Sequence, residues 1–296
     1  MLNPKLKLNP KIFNEDCEQV PIRKGFGQGL VLSGEADANV VALCADLTES
    51  TQMNLFAEKF PERFIEVGVA EQNLVTIASG MAAMGKIPFC SSYAMFSPGR
   101  NWEQIRTTIA YNDRPVKIVG SHAGISVGPD GGTHQALEDI ALMRVMPNME
   151  VLSPCDAVEA KKATLALAQG GQTDKPAYAT GSLVHRALFA AKELEIEGIK
   201  TKVLNLASIK PIDINAIVAL AKECKAIVTV EEHQVAGGMG SAVAEVLAQN
   251  YPVPIEFIGV QNKFGQSGTP DELVEHYGMG KEAIKEAVKK VLKRKV

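Results

Sequence analysis

The sequence predicts an α/β protein of two domains, each a mainly parallel sheet flanked by helices. Short apolar runs alternate along the chain with segments of helical spacing, the pattern of a parallel sheet covered on both faces. The stretch from Phe64 to Gly85 changes period within itself, from a short strand at Phe64–Val67 to a helix from Glu71. With 296 residues, 46% of them hydrophobic, the chain can bury a large core and suits two domains better than one.

Taken in order, the polar segment Met1–Lys11 contains Pro4 and Pro10 and lacks the apolar centre of a signal peptide. Arg23–Ser33 reads as helix and Val40–Cys44 as a buried strand. From Glu71, Leu74, Val75, Ile77, Ala78, Met81 and Ala82 recur at helical spacing, and Ser79, Gly80 and Ala83 leave little polar surface, so this helix is expected to be buried. Ile87–Cys90 is a third strand, Trp102–Tyr111 a helix, Val116–Gly120 a fourth strand, Ala136–Arg144 a helix and Met149–Leu152 a strand. Asp156 is placed to cap the helix that runs to Gln169. A second αβ series follows: helix Leu183–Glu197, strand Lys202–Leu206, helix Ile214–Cys224, strand Ala226–Glu231, a turn at Gly237–Gly240 opening a helix to Gln249, and strand Ile255–Val260. Lys281–Val296 closes as a basic amphipathic helix whose lysines form a solvated face.

The junction Lys175–Ser182 is too short for what it joins. A new parallel domain should begin with a linker and its own strand, and neither fits between Tyr178 and Gly181. The spacing implies that residues are missing there, through disorder or deletion. Neighbouring α-carbons about 3.8 Å apart throughout would leave deletion alone. The expected division is therefore residues 1–178 and 179–296.

A net charge of -3 gives no electrostatic footprint for nucleic acid, and no apolar stretch of about 18 residues is present to span a bilayer. Cys17, Cys44, Cys90, Cys155 and Cys224 are odd in number and show no CxxC spacing, as expected of reduced residues in a cytoplasmic protein.

Parallel sheets bind ligands beyond the carboxyl ends of their strands. Asp46, Glu71, Tyr93, Phe96, His122 and His134 all follow expected strands and so can converge on one sheet edge, although loops are polar in general and some grouping arises by chance. Glu71 has two readings. The plain one is an acid favoured by the helix dipole, and the sharper one is a carboxylate held in an apolar pocket to bond a buried nitrogen. His122 and His134 flank one loop and suit hydrogen bonding or proton transfer to an oxygen-rich substrate; zinc binding lacks a third ligand nearby. Tyr93 and Phe96 can stack on a flat heterocycle, although aromatics three apart are more often core. The loop Gly128–Gly132 lacks the Lys-Ser/Thr of a P-loop, and Gly237–Gly240 reads as a tight strand-to-helix turn. His185, His233 and His276 read as structural or surface residues.

Together, Ala45–Leu47, Val67–Asn73, Ser91–Phe96, Ser121–His122 and Gly128–Gln135 resemble the pyrimidine-binding domain of transketolases. Lys202–Asp213 and Val230–His233 are similar to the C-terminal domain of that family. The resemblance covers nearly the whole chain and implies a thiamine diphosphate enzyme that transfers a two-carbon ketol unit from a ketose phosphate to an aldose phosphate. Glu71 matches the acid that hydrogen-bonds N1′ of the aminopyrimidine and activates the cofactor as an electron sink. Phe96 matches the ring that stacks on the pyrimidine, with Tyr93 beside it, and Asp46 is grouped with these as cofactor-binding. Arg23 and Ser50 match contacts to the substrate phosphate, while His122, Asp130 and His134 match residues that bind the sugar hydroxyls or move their protons. A further phosphate-binding Arg, expected after Tyr178, is missing.

Full-length transketolases precede this region with a domain that holds the diphosphate and Mg2+ through a Gly-Asp-Gly...Asn motif, which this sequence lacks. The resemblance therefore implies the C-terminal subunit of a split transketolase. Such a chain is active only with a separate N-terminal subunit, as a dimer of such pairs, with Mg2+ bound mainly by the partner. The rivals are the matching half of 1-deoxyxylulose-5-phosphate synthase, which typically has Asp-Arg where Ser121-His122 stands, a β-type subunit of a 2-oxo acid dehydrogenase, and a non-catalytic subunit that keeps the fold.

Overall fold

The computed structural model describes residues 8–14, 16–169, 177–179 and 182–295. Its first part runs α1 (Ile22–Ala36), β1 (Val40–Cys44), α2 (Asn54–Lys59), β2 (Phe64–Glu66), α3 (Glu71–Ala83), β3 (Ile87–Tyr93), α4 (Trp102–Gln104), β4 (Lys117–Ser121), α5 (Asp139–Arg144), β5 (Glu150–Leu152), α6 (Ala157–Ala168) and β6 (Ala177–Ala179). A π-helix, Ile105–Ala110, continues α4. The second part comprises α7 (Val184–Ile196), β7 (Ser208–Lys210), α8 (Ile214–Cys224), β8 (Ile227–Gln234), α9 (Met239–Asn250), β9 (Ile255–Val260), α10 (Pro270–His276) and α11 (Lys281–Lys293).

Alternation along β1 organises the first part. Val41 and Leu43 enter one core with Leu74 of α3, Ile105, Ile109 and Ile140, whereas Val40, Ala42 and Cys44 enter another with Phe26 of α1, Phe56 of α2 and Leu167 of α6. Both faces of the strand are buried, which is why it reads as an unbroken apolar run. Among the described residues the sheet has the order β2-β1-β3-β4-β6-β5-β7, parallel except where β7 meets β5. The chain leaves β1 in one direction for β2 and in the other for β3, so a crevice opens at the carboxyl ends of β1 and β3.

Helix α1 packs closely against α6. A Cβ on Gly25 would lie 1.9 Å from the carbonyl oxygen of Ala157, and backbone cannot move aside as a side chain would. Gly25→Ala is accordingly expected to destabilise the protein by about 1–3 kcal/mol, read from the denaturation midpoint. Asp156 caps α6 as expected, its Oδ1 accepting from the Glu159 N–H at 2.7 Å.

The second sheet pairs β8 with β9 in parallel. One of its faces is covered by α7, α10 and α11 through Ala190, Leu273 and Ile284, and the other by α8 and α9 through Ile217, Val243 and Val246.

Several expectations change. Residues 202–206 form no strand; Val203 and Leu204 are exposed, and the strand forms instead at β7, which closes the first sheet as an antiparallel edge. Strand structure needs a neighbour to take its backbone groups, and among the described residues no strand pairs with residues 202–206. The helix expected from Ala136 begins at Asp139, because the Ala136 and Leu137 carbonyls accept from Gly124 and Gln234 instead of from a following turn. Helix α3 is buried on one face only: Ile77 and, just beyond its end, Met84 are exposed. Ala177–Ala179, at the short junction, is a strand of the first sheet, and the second part opens on α7. The α-carbon spacing expected across that junction falls partly on residues 175, 176, 180 and 181, outside the described residues. Among the described residues no helix is long and apolar enough to cross a membrane, and all five cysteines are free.

Candidate active site

Two clusters lie at the carboxyl ends of β1, β3 and β4 and share an aromatic wall. In the first, Arg23 Nη1 donates to the Ser50 carbonyl at 3.0 Å and lies 3.0 Å from His122 Nε2. His122 Nδ1 lies 2.9 Å from Ser121 Oγ, and its ring stacks on Tyr93 at 4.1 Å between centroids. Ser50 Oγ is hydrogen-bonded to the Tyr93 hydroxyl at 2.8 Å. Because Arg23 can only donate, Nε2 accepts, and Nδ1 carries the hydrogen toward Ser121. Burial first, and the Arg23 charge second, push the His122 pKa down to about 4 against the opposing pull of Asp130. His122 is therefore neutral at pH 7 and hydrogen-bonds without adding charge.

The second cluster surrounds Glu71, the first residue of α3, which is only 2% exposed. Its Oε2 accepts from Arg100 Nη1 at 2.7 Å, while its backbone carbonyl accepts from Asn101 Nδ2 at 2.8 Å. The Arg100 guanidinium lies 4.9 Å from the centre of the Phe96 ring. Tyr93 and Phe96 are nearly parallel, 7° apart in plane with centroids at 6.4 Å, and His134 meets both rings edge-on.

Contacts thus run from Arg23 and Ser50 through Tyr93, His122 and His134 to Phe96, Arg100 and Glu71. Asp46 and Asp130 join less directly. Asp46 sits just past β1 at φ 59° with an exposed side chain; its N–H donates to Glu66, which also accepts from Thr48 and Gly68. Asp130 is exposed and acts on His122 through charge alone. Arg100, Asn101 and Glu66 are absent from the expected site residues. Arg100 stands four positions after Phe96, but this segment forms only turns, and its register against α3 is not legible without the tertiary packing. Among the described residues no group of three or more His, Cys, Asp or Glu is placed to hold a metal ion.

The loop that carries Asp130 and His134 is clamped by the second part of the chain. Glu232 of β8 accepts from the Ser126 N–H at 2.9 Å and from the Ser182 hydroxyl. At Gly124, φ +80°, a Cβ would lie 2.3 Å from Glu232 Cγ, so the approach requires glycine. His233 lies 3.0 Å from Asp139, and both are fully buried, so His233 is a core residue at the contact between the two parts.

Comparison with known proteins agrees with this architecture. Residues 18–180 match the transketolase pyrimidine-binding domain, and residues 178–284 match the transketolase C-terminal domain. A Methanocaldococcus jannaschii protein named as the C-terminal section of a transketolase is 41% identical over 308 aligned residues, covering 92% of this chain and 96% of that one. That aligned length exceeds the 296 residues here, so the relative carries residues without a counterpart in this chain. A subunit of 6-deoxy-6-sulfo-D-fructose transketolase from Clostridium sp. is 36% identical and covers 96% and 98%. Human transketolase is 34% identical, and the chain spans about half its length, 49%. A solved structure described as a split gene transketolase, inactive beta4 tetramer, superposes with a TM-score of 0.85 at 40% identity, covering 93% of this chain and 99% of that one.

Proposed function

Because the chain belongs to the transketolase family, we propose that it is the C-terminal subunit of a split, thiamine diphosphate-dependent transketolase that moves a two-carbon ketol unit between sugar phosphates. The observation that carries this reading is a buried carboxylate beside an exposed-edge aromatic shelf. Glu71 and Phe96 together already accommodate a planar nitrogen cation, the Arg100 guanidinium, so their chemistry fits a flat, nitrogen-rich ring. When bound, thiamine diphosphate supplies the carbanion-stabilising centre that ketol transfer requires.

The residues of this chain divide the remaining work. Glu71 accepts a hydrogen bond from the pyrimidine nitrogen, and Phe96 with Tyr93 orients the ring. Neutral His122, with His134 and Asp130, hydrogen-bonds sugar hydroxyls and holds or passes their protons. Arg23 and Ser50 receive the substrate phosphate, with Arg23 as the charge-assisted donor. Asp46 lies at the mouth of the crevice and is assigned to the cofactor side. The division between the pyrimidine-binding part and the C-terminal part is drawn just beyond β6, whose last residue is Ala179, beside the expected boundary at residue 178.

A separate N-terminal subunit supplies the diphosphate and Mg2+ site, in a dimer of such pairs. Two observations support a partner. Val69, Ile77, Met84 and Tyr111 are large, apolar and exposed on and around α3 and the helix beside it. The similar split-gene structure is described as an inactive beta4 tetramer.

A mixing assay tests the proposal. Ketol transfer from xylulose 5-phosphate is expected only when this chain, an N-terminal subunit, thiamine diphosphate and Mg2+ are all present. Pyruvate-dependent condensation would select the 1-deoxyxylulose-5-phosphate synthase reading instead, and no turnover in the full mixture would leave a non-catalytic subunit.

A further inference from the structure

The acid at the head of α3 already has a partner, and that partner shares the chemistry of the ring proposed to bind there. Arg100 Nη1 donates to Glu71 Oε2 at 2.7 Å, and the guanidinium lies 4.9 Å from the Phe96 ring centroid. A guanidinium is flat, offers N–H donors in its plane and packs by its face on an aromatic ring. An aminopyrimidine that bonds a carboxylate through a ring nitrogen and stacks on Phe96 makes the same two demands.

Both groups cannot be accommodated together. With Arg100 in place the Glu71 side chain is 2% exposed, so no approach of ring size to the carboxylate remains. Arg100 itself is 47% exposed and can leave toward solvent. The frame behind it is fixed separately: Asn101, fully buried, donates to the Glu71 carbonyl at 2.8 Å and to Ser97 Oγ at 3.1 Å. Moving the Arg100 side chain therefore leaves the start of α3 where it is.

We infer that Arg100 is an internal placeholder: in the cofactor-free chain it fills the position at Glu71 and Phe96 that the aminopyrimidine takes on binding, and it swings out to admit that ring. The inference rests on the reading of Glu71 given above. It makes Arg100 a positioning residue that satisfies a buried acid before assembly and taxes cofactor affinity by the fraction of chains in which the pair is closed.

Calorimetric titration of thiamine diphosphate, at saturating Mg2+, into the assembled two-subunit enzyme tests it. Arg100→Gln is expected to lower the Kd about tenfold, the effect of removing a competitor that is closed in roughly nine chains of ten. Arg100→Lys keeps the charge without the planar fork and should fall between. An unchanged or higher Kd for Arg100→Gln overturns the placeholder and makes Arg100 a standing support of the acid. If circular dichroism shows that Arg100→Gln does not fold, Arg100→Lys decides by the same criterion: tighter binding supports, equal or weaker binding overturns. Glu71→Gln run in parallel separates the two ideas. Wild-type affinity and turnover in that variant would remove the role of Glu71 and the inference with it, whereas a defect there beside an unchanged Arg100→Gln affinity would remove the inference alone.

Discussion

Glu71→Gln in the reconstituted two-subunit enzyme is expected to lower kcat for ketol transfer by about 10²–10⁴-fold, the range for losing a positioned acid-base group. The substitution keeps shape and volume but replaces a carboxylate oxygen with an amide, at a side chain only 2% exposed, where no solvent carboxylate can substitute. Its cost to folding should be smaller. Arg100, left without its partner, is half-exposed and can hydrate, and the Asn101 bond to the Glu71 backbone is untouched. The measurement is steady-state turnover at saturating cofactor, with the thermal midpoint as control. Turnover within about threefold of wild type, well below the loss expected for a positioned group, would sink the assignment.

The largest effect on stability is expected at Asp139 and His233, which lie 3.0 Å apart in the contact between the two parts of the chain. Removing one member of a buried ion pair strands the other, so Asp139→Ala should cost about 3–5 kcal/mol. For a chain of this size that lowers the thermal midpoint by roughly 10 °C. The pair also predicts a pH dependence. Burial alone would push the His233 pKa down, but Asp139, with Glu232 and Glu231 beside it, raises it to about 9. The folded protein thus holds a proton that the unfolded chain releases near the ordinary histidine value of about 6.5. The stabilisation is complete below that value and is lost as pH rises through about 9. Thermal scans should show the wild-type midpoint falling between neutral pH and pH above 9, and Asp139→Ala should flatten that slope. A wild-type midpoint that rises over the same interval would contradict it.

Much of the fold was legible because buried parallel strands leave a local mark. Val40–Cys44 is an uninterrupted apolar run and Ile255–Val260 is broken only by Glu256 and Gly259, and each forms a strand with the bounds its composition suggests. The change of period at Glu71 located α3, and Asp156 located the start of α6 by its capping chemistry. Helix α10 was missed although its signal was present: Thr269 and Glu272 form a capping box with Pro270 in the first turn. The false strand at residues 202–206 has the opposite cause, since strand-forming side chains without a neighbouring strand have nothing to satisfy their backbone.

Of the site, the sequence by itself determined which residue types follow each strand, and with the parallel topology this was enough to bring Glu71, Tyr93, Phe96, His122 and His134 to one sheet edge; Arg23, which precedes β1, and Ser50 were matched through the family resemblance. Only the tertiary structure decided that Arg100 bonds Glu71 across Phe96, that Glu232 clamps the loop at Gly124 and Ser126, and that His233 is buried against Asp139. The reason is range. Periodicity and capping act between residues a few positions apart, whereas the Arg100–Glu71, Glu232 and His233 contacts join residues 29 to 108 positions apart and exist only once two packed surfaces bring their side chains into register.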